Sequence, residues 1–221
     1  AAAHGPCAPA MAFRVVDAKA AYDRALALGA EPADPADGGK TLDVPAIKGI
    51  GGSLLYFVET YGAKGSPYEA EFEWLAERDP RPKGEGLYYL DHLTHNVQRG
   101  RMDGWAGFYE RIFNFRQIRY FDIEGKLTGL FSKALTSPDG KIRIPINEDA
   151  GDNGQIEEYL HAYNGEGIQH IACGCRDIYQ TIETLRERGV SFMPPPPSVY
   201  FKRVDRRVPG LDPGDSRGRP V

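Results

Sequence analysis

Two stretches 160 residues apart follow one plan, and that repetition limits the possible folds more than any single motif does. Ala10 to Asp17 and His170 to Asp177 each read as a strand ending in Asp, and each runs into a helical pattern that closes on glycine. Asp17 to Gly29 and Asp177 to Gly189 both span 12 positions. The Asp is suited to accept from the free N–H groups of a first helical turn, and the Gly to the left-handed residue past the last turn. Ile178, Ile182 and Leu185 fall at i, i+4 and i+7 of the second helix, and Ala18, Tyr22 and Ala25 take the same places in the first. Two copies of one strand-helix module are expected.

A third copy starts at His92. Its strand leads into a helix predicted over Met102 to Phe113, where Trp105, Phe108, Tyr109 and Ile112 make one apolar face and read as core. Strands follow at Phe115 to Ile123, Leu127 to Thr136 and Lys141 to Ile146, separated by turn signals at Glu124-Gly125 and Ser137-Pro138-Asp139-Gly140. The unit is βαβββ. In the N-terminal copy, strands are expected at Thr41 to Lys48 and Ser53 to Glu59, and the Gly-, Pro- and charge-rich stretch from Gly62 to Glu85 reads as a connection. The fold class is therefore α+β, built of tandem βαβββ modules incomplete at both ends. Residues 1–76 form a partial N-terminal domain and residues 77–221 a partial C-terminal domain whose tail, 210–221, is irregular.

With 41% hydrophobic and 26% charged residues in 221, the chain can bury a sizeable core. A net charge of -4, with no basic cluster interleaved with aromatics, argues against a nucleic-acid partner. No apolar run approaches the roughly 20 residues of a membrane span and no signal-peptide pattern is present, so a cytoplasmic protein without a membrane partner is expected. Cys7, Cys173 and Cys175 lack zinc-ribbon spacing, and Cys173 and Cys175 are expected as reduced core thiols. Gly39-Lys40-Thr41 lacks the leading glycine of a phosphate loop, and Gly49-Ile50-Gly51-Gly52 lacks the third glycine and the helix of a dinucleotide site. Both read as turns.

The histidines carry the chemistry. His92 and His95 are three apart, which in a strand sends them to opposite faces, so they do not share an ion. His92 lies on the face of Leu90 and Thr94, on the first strand of its module, where His170 lies in the next; the equivalent residue of the N-terminal copy is Ala10. Only the C-terminal half can host a site. Sister strands meeting at a pseudo-twofold would turn His92 and His170 into one cavity, as metal ligands or as hydrogen-bonded core histidines. His4 and His161 are expected at the surface. Ser132, Asn147, Gln155 and Gln169 are polar residues within or beside apolar runs. They would suit an aromatic ligand bearing a phenol or carboxylate, or would serve strand ends and turns.

The segments LDHLTHNV at 90–97, RIPINE at 143–148, QIEEYL at 155–160, NGEGIQHIA at 164–172 and PPPPSVYF at 194–201, leading into KRVDRRVPG, carry a further reading. Through them the chain resembles the 4-hydroxyphenylpyruvate dioxygenase family, a branch of the vicinal-oxygen-chelate (glyoxalase-like) fold, from about Ala8 to Val208. The resemblance implies that His92 and His170 are two of three Fe(II) ligands, the third being a glutamate on the last strand of the following module. By the repeat offset that strand maps to 214–219, where Gly-Asp-Ser-Arg-Gly-Arg offers no glutamate, so these residues alone are expected to be inactive or nearly so. It further implies that Ser132, Asn147, Gln155 and Gln169 line the pocket for 4-hydroxyphenylpyruvate. O₂ would be the second reactant, homogentisate the product of decarboxylation, ring hydroxylation and side-chain migration in tyrosine catabolism, and a homo-oligomer the full-length form. A 4-hydroxymandelate synthase, with the same substrate and iron, and a non-catalytic ligand-binding protein of the same fold are the alternatives.

Overall fold

The computed structural model of the chain describes residues 4–34, 42–75, 77, 79, 82–124, 129–151 and 154–194. The strand-Asp-helix-Gly plan is present twice. After β1 (Ala10–Arg14), the Asp17 carboxylate accepts from the Ala20 N–H at the start of α1 (Ala18–Ala27), and Gly29 follows at φ +85°. After β8 (Gly167–Cys175), Asp177 accepts from the Gln180 N–H at the start of α5 (Ile178–Glu187), and Gly189 follows at φ +87°. Side-chain oxygen at one end and a left-handed glycine at the other satisfy orphan backbone groups in both copies.

Between them lie β2 (Ala46–Lys48), β3 (Leu54–Val58), α2 (Pro67–Glu71), β4 (Leu87–Asn96), α3 (Met102–Phe113), β5 (Arg116–Glu124), β6 (Gly129–Thr136), β7 (Arg143–Asp149) and α4 (Gln155–Tyr163). One sheet runs β1-β3-β2 and the other β5-β6-β7-β4-β8. In each module the first strand lies parallel to the last, β1 with β3 and β4 with β7, and the intervening strands join by antiparallel pairing. A parallel pair needs a crossover, which α1 and α3 supply. The α+β class is what the topology shows: β4, α3, β5, β6 and β7 make one full βαβββ module, the described residues of the N-terminal copy make βαββ and those of the last copy βα, and β4 and β8, the first strands of successive modules, are sheet neighbours.

Four sequence expectations require correction. The strand expected from Thr41 is confined to Ala46–Lys48, because Pro45 cannot donate to a ladder and residues 42–44 form bends; residue 41 is outside the described residues. The connection after Gly62 contains the short helix α2, begun by Ser66, whose hydroxyl accepts from the Tyr68 N–H, and by a proline in its first turn. His4 is not a free surface residue: its ring stacks on Tyr163 at 4.3 Å and its Nδ1 bonds the Tyr163 carbonyl at 2.6 Å. Cys173 is exposed and Cys175 half-buried, so neither is a core thiol. The expected turns at Glu124-Gly125 and Gly39-Lys40-Thr41, and the stretch from 195 onward, fall partly or wholly outside the described residues.

Contacts group the chain into two compact units, Ala1–Pro80 with Leu90–Ala172, and Arg81–Tyr89 with Cys173–Val221. The core of the first unit is aromatic at its centre: Phe13, Phe57, Tyr109 and Phe115 are buried and Phe113 packs among them, with Ile112, Leu135, Ile144 and Ile146 around them. Helices α1 and α3 exchange arginines across it. Arg24 donates to the Ile112 carbonyl at 2.5 Å and to Asn114 at 3.1 Å, and Arg111 donates to the Leu28 carbonyl at 3.0 Å. Each guanidinium thus covers free carbonyls at the C-terminus of the other helix, where a cation is favoured. Arg24→Ala and Arg111→Ala are each expected to cost about 1 kcal/mol in urea unfolding, a charge-assisted bond discounted for exposure. Unchanged unfolding midpoints in both variants would show that the exchange contributes nothing.

Candidate metal centre and ligand face

Strand β4 sends its two histidines to different places, as period-two alternation requires. His95 faces the core, is fully buried, and bonds the Tyr109 hydroxyl of α3 through Nε2 at 2.7 Å. Burial holds its pKa down at about 4; its Nδ1 meets no partner of good geometry, and the Thr94 backbone offsets only part of the burial. The same burial pushes the Tyr109 hydroxyl far up. His95 is thus a neutral anchor between β4 and α3, and His92 sits on the other face with Thr94 and Asn96.

On that face the sister strands bring His92 and His170 together, with ring centres 5.5 Å apart and planes crossed at 74°. Two imidazoles sharing one ion through nitrogens at about 2.1 Å have centres on the order of 5 Å apart. The pair therefore fits two positions of a divalent coordination sphere. His170 is held below the ordinary imidazole range, by partial burial first and by the neighbouring His92 second, so it is neutral and able to donate a lone pair at physiological pH. The Thr94 hydroxyl lies 2.9 Å from His170 Nε2. Asp91 bonds His92 Nδ1 at 2.7 Å and receives Arg143 at 2.8 Å. Among the described residues, no group of three His, Cys, Asp or Glu side chains gathers as a complete ligand set. The position expected for a third ligand, 214–219, lies outside them.

Two of the four predicted pocket residues also share this face. Register places Phe121, Ser132, Asn147 and Asn96 in one row across β5, β6, β7 and β4. Ser132 and Asn96 are buried, and Asn147 donates to the Asn96 amide oxygen at 3.5 Å. The row offers an aromatic surface at one end and hydroxyl and amide groups along the rest. Gln169 stands beside His170 and bonds its Nδ1. Gln155 opens α4 and is exposed, on a different element from the other three. Sequence reasoning missed Asn96, although counting by two from His92 through Thr94 reaches it.

A sheet of this βαβββ order, with paired histidines on the first strands of successive modules, defines a class. The chain belongs to the glyoxalase/bleomycin resistance protein/dioxygenase superfamily, whose model matches residues 89–214. Residues 1–73 match the N-terminal domain of hydroxyphenylpyruvate dioxygenase, so the resemblance read from the sequence is borne out in both halves. A 4-hydroxyphenylpyruvate dioxygenase of Pseudomonas aeruginosa is 56% identical over 94% of this chain and 57% of its own length. Hemolysin VllY of Vibrio vulnificus is 59% identical over 94% of this chain and 58% of its own length. The chain thus spans less than two thirds of the curated relatives it matches. A mutant of 4-hydroxymandelate synthase from Streptomyces coelicolor superposes with a TM-score of 0.72 at 24% identity, over 91% of this chain and 58% of its own, and shows the shared fold.

Proposed function

We propose that the chain is the iron- and substrate-binding part of an Fe(II)-dependent dioxygenase that converts 4-hydroxyphenylpyruvate to homogentisate in tyrosine catabolism. The observation that carries this is the approach of His92 and His170 to 5.5 Å on neighbouring strands, beside a polar row suited to a phenol. Relatives named 4-hydroxyphenylpyruvate dioxygenase, at 50–56% identity, support this reaction class. His92 and His170 would hold the metal as two members of a facial set of two histidines and a carboxylate. Fe(II), when bound, supplies open positions for a chelating 2-oxo acid and for O₂.

The chain's own residues act by orientation. Ser132 and Asn147, and with them Gln155 and Gln169, are assigned to the aromatic ring and its hydroxyl, fixing the ring against the reacting centre. Strand β4 is held by the buried His95–Tyr109 bond, so His92 approaches from a rigid element. The domain junction is placed near residue 76, supported by family matches that end at 73 and begin at 89. Among the described residues no helix is long and apolar enough to cross a membrane, and a cytoplasmic homo-oligomer is the proposed setting.

Oxygen uptake with 4-hydroxyphenylpyruvate and Fe(II), followed by chromatography of the product, tests the assignment. Homogentisate is the expected product from the protein with its full ligand set, with little turnover from residues 1–221 alone. His92→Ala or His170→Ala should lower Fe(II)-dependent uptake by on the order of 100-fold or more. Release of 4-hydroxymandelate would replace the dioxygenase with the synthase, and a protein that binds no divalent ion would be a ligand-binding relative.

A further inference from the structure

The repeat carries a detail beyond the two imidazoles themselves: each has its Nδ1 bonded to the side chain of the residue directly before it. His92 Nδ1 lies 2.7 Å from an Asp91 carboxylate oxygen, and His170 Nδ1 contacts the Gln169 amide oxygen. A carboxylate and an amide oxygen only accept, so in both rings Nδ1 carries the proton and Nε2 keeps the lone pair. On His170 that lone pair accepts from the Thr94 hydroxyl at 2.9 Å. Asp91 is itself fixed by Arg143, the register partner of His92 on β7.

We propose that Asp91 and Gln169 are positioning residues that lock His92 and His170 in the Nδ1–H tautomer, so that both present Nε2 as the nitrogen able to take a divalent cation. This rests on the proposed metal centre, whose ligands would otherwise be free to choose either tautomer. The arrangement is symmetric in position and asymmetric in charge. Asp91 presents a carboxylate to its ring, held also by Arg143, while Gln169 presents a neutral amide to His170. Gln169 therefore has a task on the protein side of the site as well as any contact with a substrate ring.

The test reads imidazole ¹⁵N shifts in the metal-free chain, with the rings neutral, and then titrates each protein with Co(II) by visible absorption. Both rings of the unmodified chain are expected as Nδ1–H tautomers. Asp91→Ala should move His92 alone toward Nε2–H, and Gln169→Ala should move His170 alone. Co(II) binding should weaken about 10- to 100-fold in Asp91→Ala. Asp91→Asn, which retains an accepting oxygen without the charge, should keep the tautomer and weaken Co(II) less. Either ring found as Nε2–H in the unmodified chain overturns the proposal, a result that needs no variant to fold; tautomers unmoved by both alanine substitutions overturn it too. If the tautomers respond as expected while the unmodified chain takes up no Co(II), the positioning assignment stands and the metal centre falls.

Discussion

Acidification from about pH 7.5 to about pH 4 is expected to remove on the order of 3 kcal/mol of stability through His95 alone. Its folded pKa of about 4 lies below the ordinary 6.5, so between those values the unfolded chain binds a proton that the native chain does not. Stability from this group is complete above about 6.5 and drains away as the pH falls. The cause is structural: charging a fully buried ring whose one good partner is the Tyr109 hydroxyl leaves an ion in the core. Urea unfolding between about pH 6.5 and about pH 4 should show the native chain losing about 1 kcal/mol per pH unit relative to His95→Gln, which can still bond Tyr109 but does not titrate. Parallel stability curves for the two proteins would show that His95 is not the acid-sensitive anchor. Tyr109→Phe removes the partner without removing the ring and should cost about 1–3 kcal/mol at neutral pH.

The His95–Tyr109 bond also marks where sequence reasoning stops. Alternation along β4 shows that His92 and His95 part company, and the apolar face of α3 shows that Tyr109 turns inward, but neither periodicity says that the two meet. That requires the packing of α3 against the sheet. The same holds at the site. The strand-Asp-helix-Gly repeat identifies β4 and β8 as sister strands, and their pairing follows from the module plan. Alternation, however, assigns Asp91 and Gln169 to the faces opposite their histidines, so the bonds they make to Nδ1 have no signature in spacing. Their side chains reach around the strand at residues that are only partly covered or exposed. The helix α2 was hidden for a different reason: five residues in a polar, Pro-rich context form a helix only because Ser66 and Pro67 start it.

Gly51→Ala is expected to destabilise the protein by about 2–5 kcal/mol, whereas Gly52→Ala, one residue on, should cost only about 1 kcal/mol. Both glycines sit in the tight turn between β2 and β3, at φ +58° and +80°, so both substitutions carry the backbone penalty of a left-handed residue. They differ in what stands beyond. A Cβ on Gly52 meets nothing within 4 Å, while one on Gly51 falls 1.8 Å from the carbonyl oxygen of Glu166, a backbone atom that no side-chain rotation can clear. Glu166 is not free to retreat, since its carboxylate bonds the Gln98 N–H at 3.0 Å and the Trp105 indole at 2.8 Å, and β8 begins at the next residue. A shift there would travel along β8 toward His170, four residues away. Gly51→Ala should consequently lower both the unfolding midpoint and Co(II) affinity, and Gly52→Ala only the midpoint, slightly. Equal effects from the two substitutions would mean that the turn merely needs glycine geometry and that its close approach to Glu166 constrains nothing.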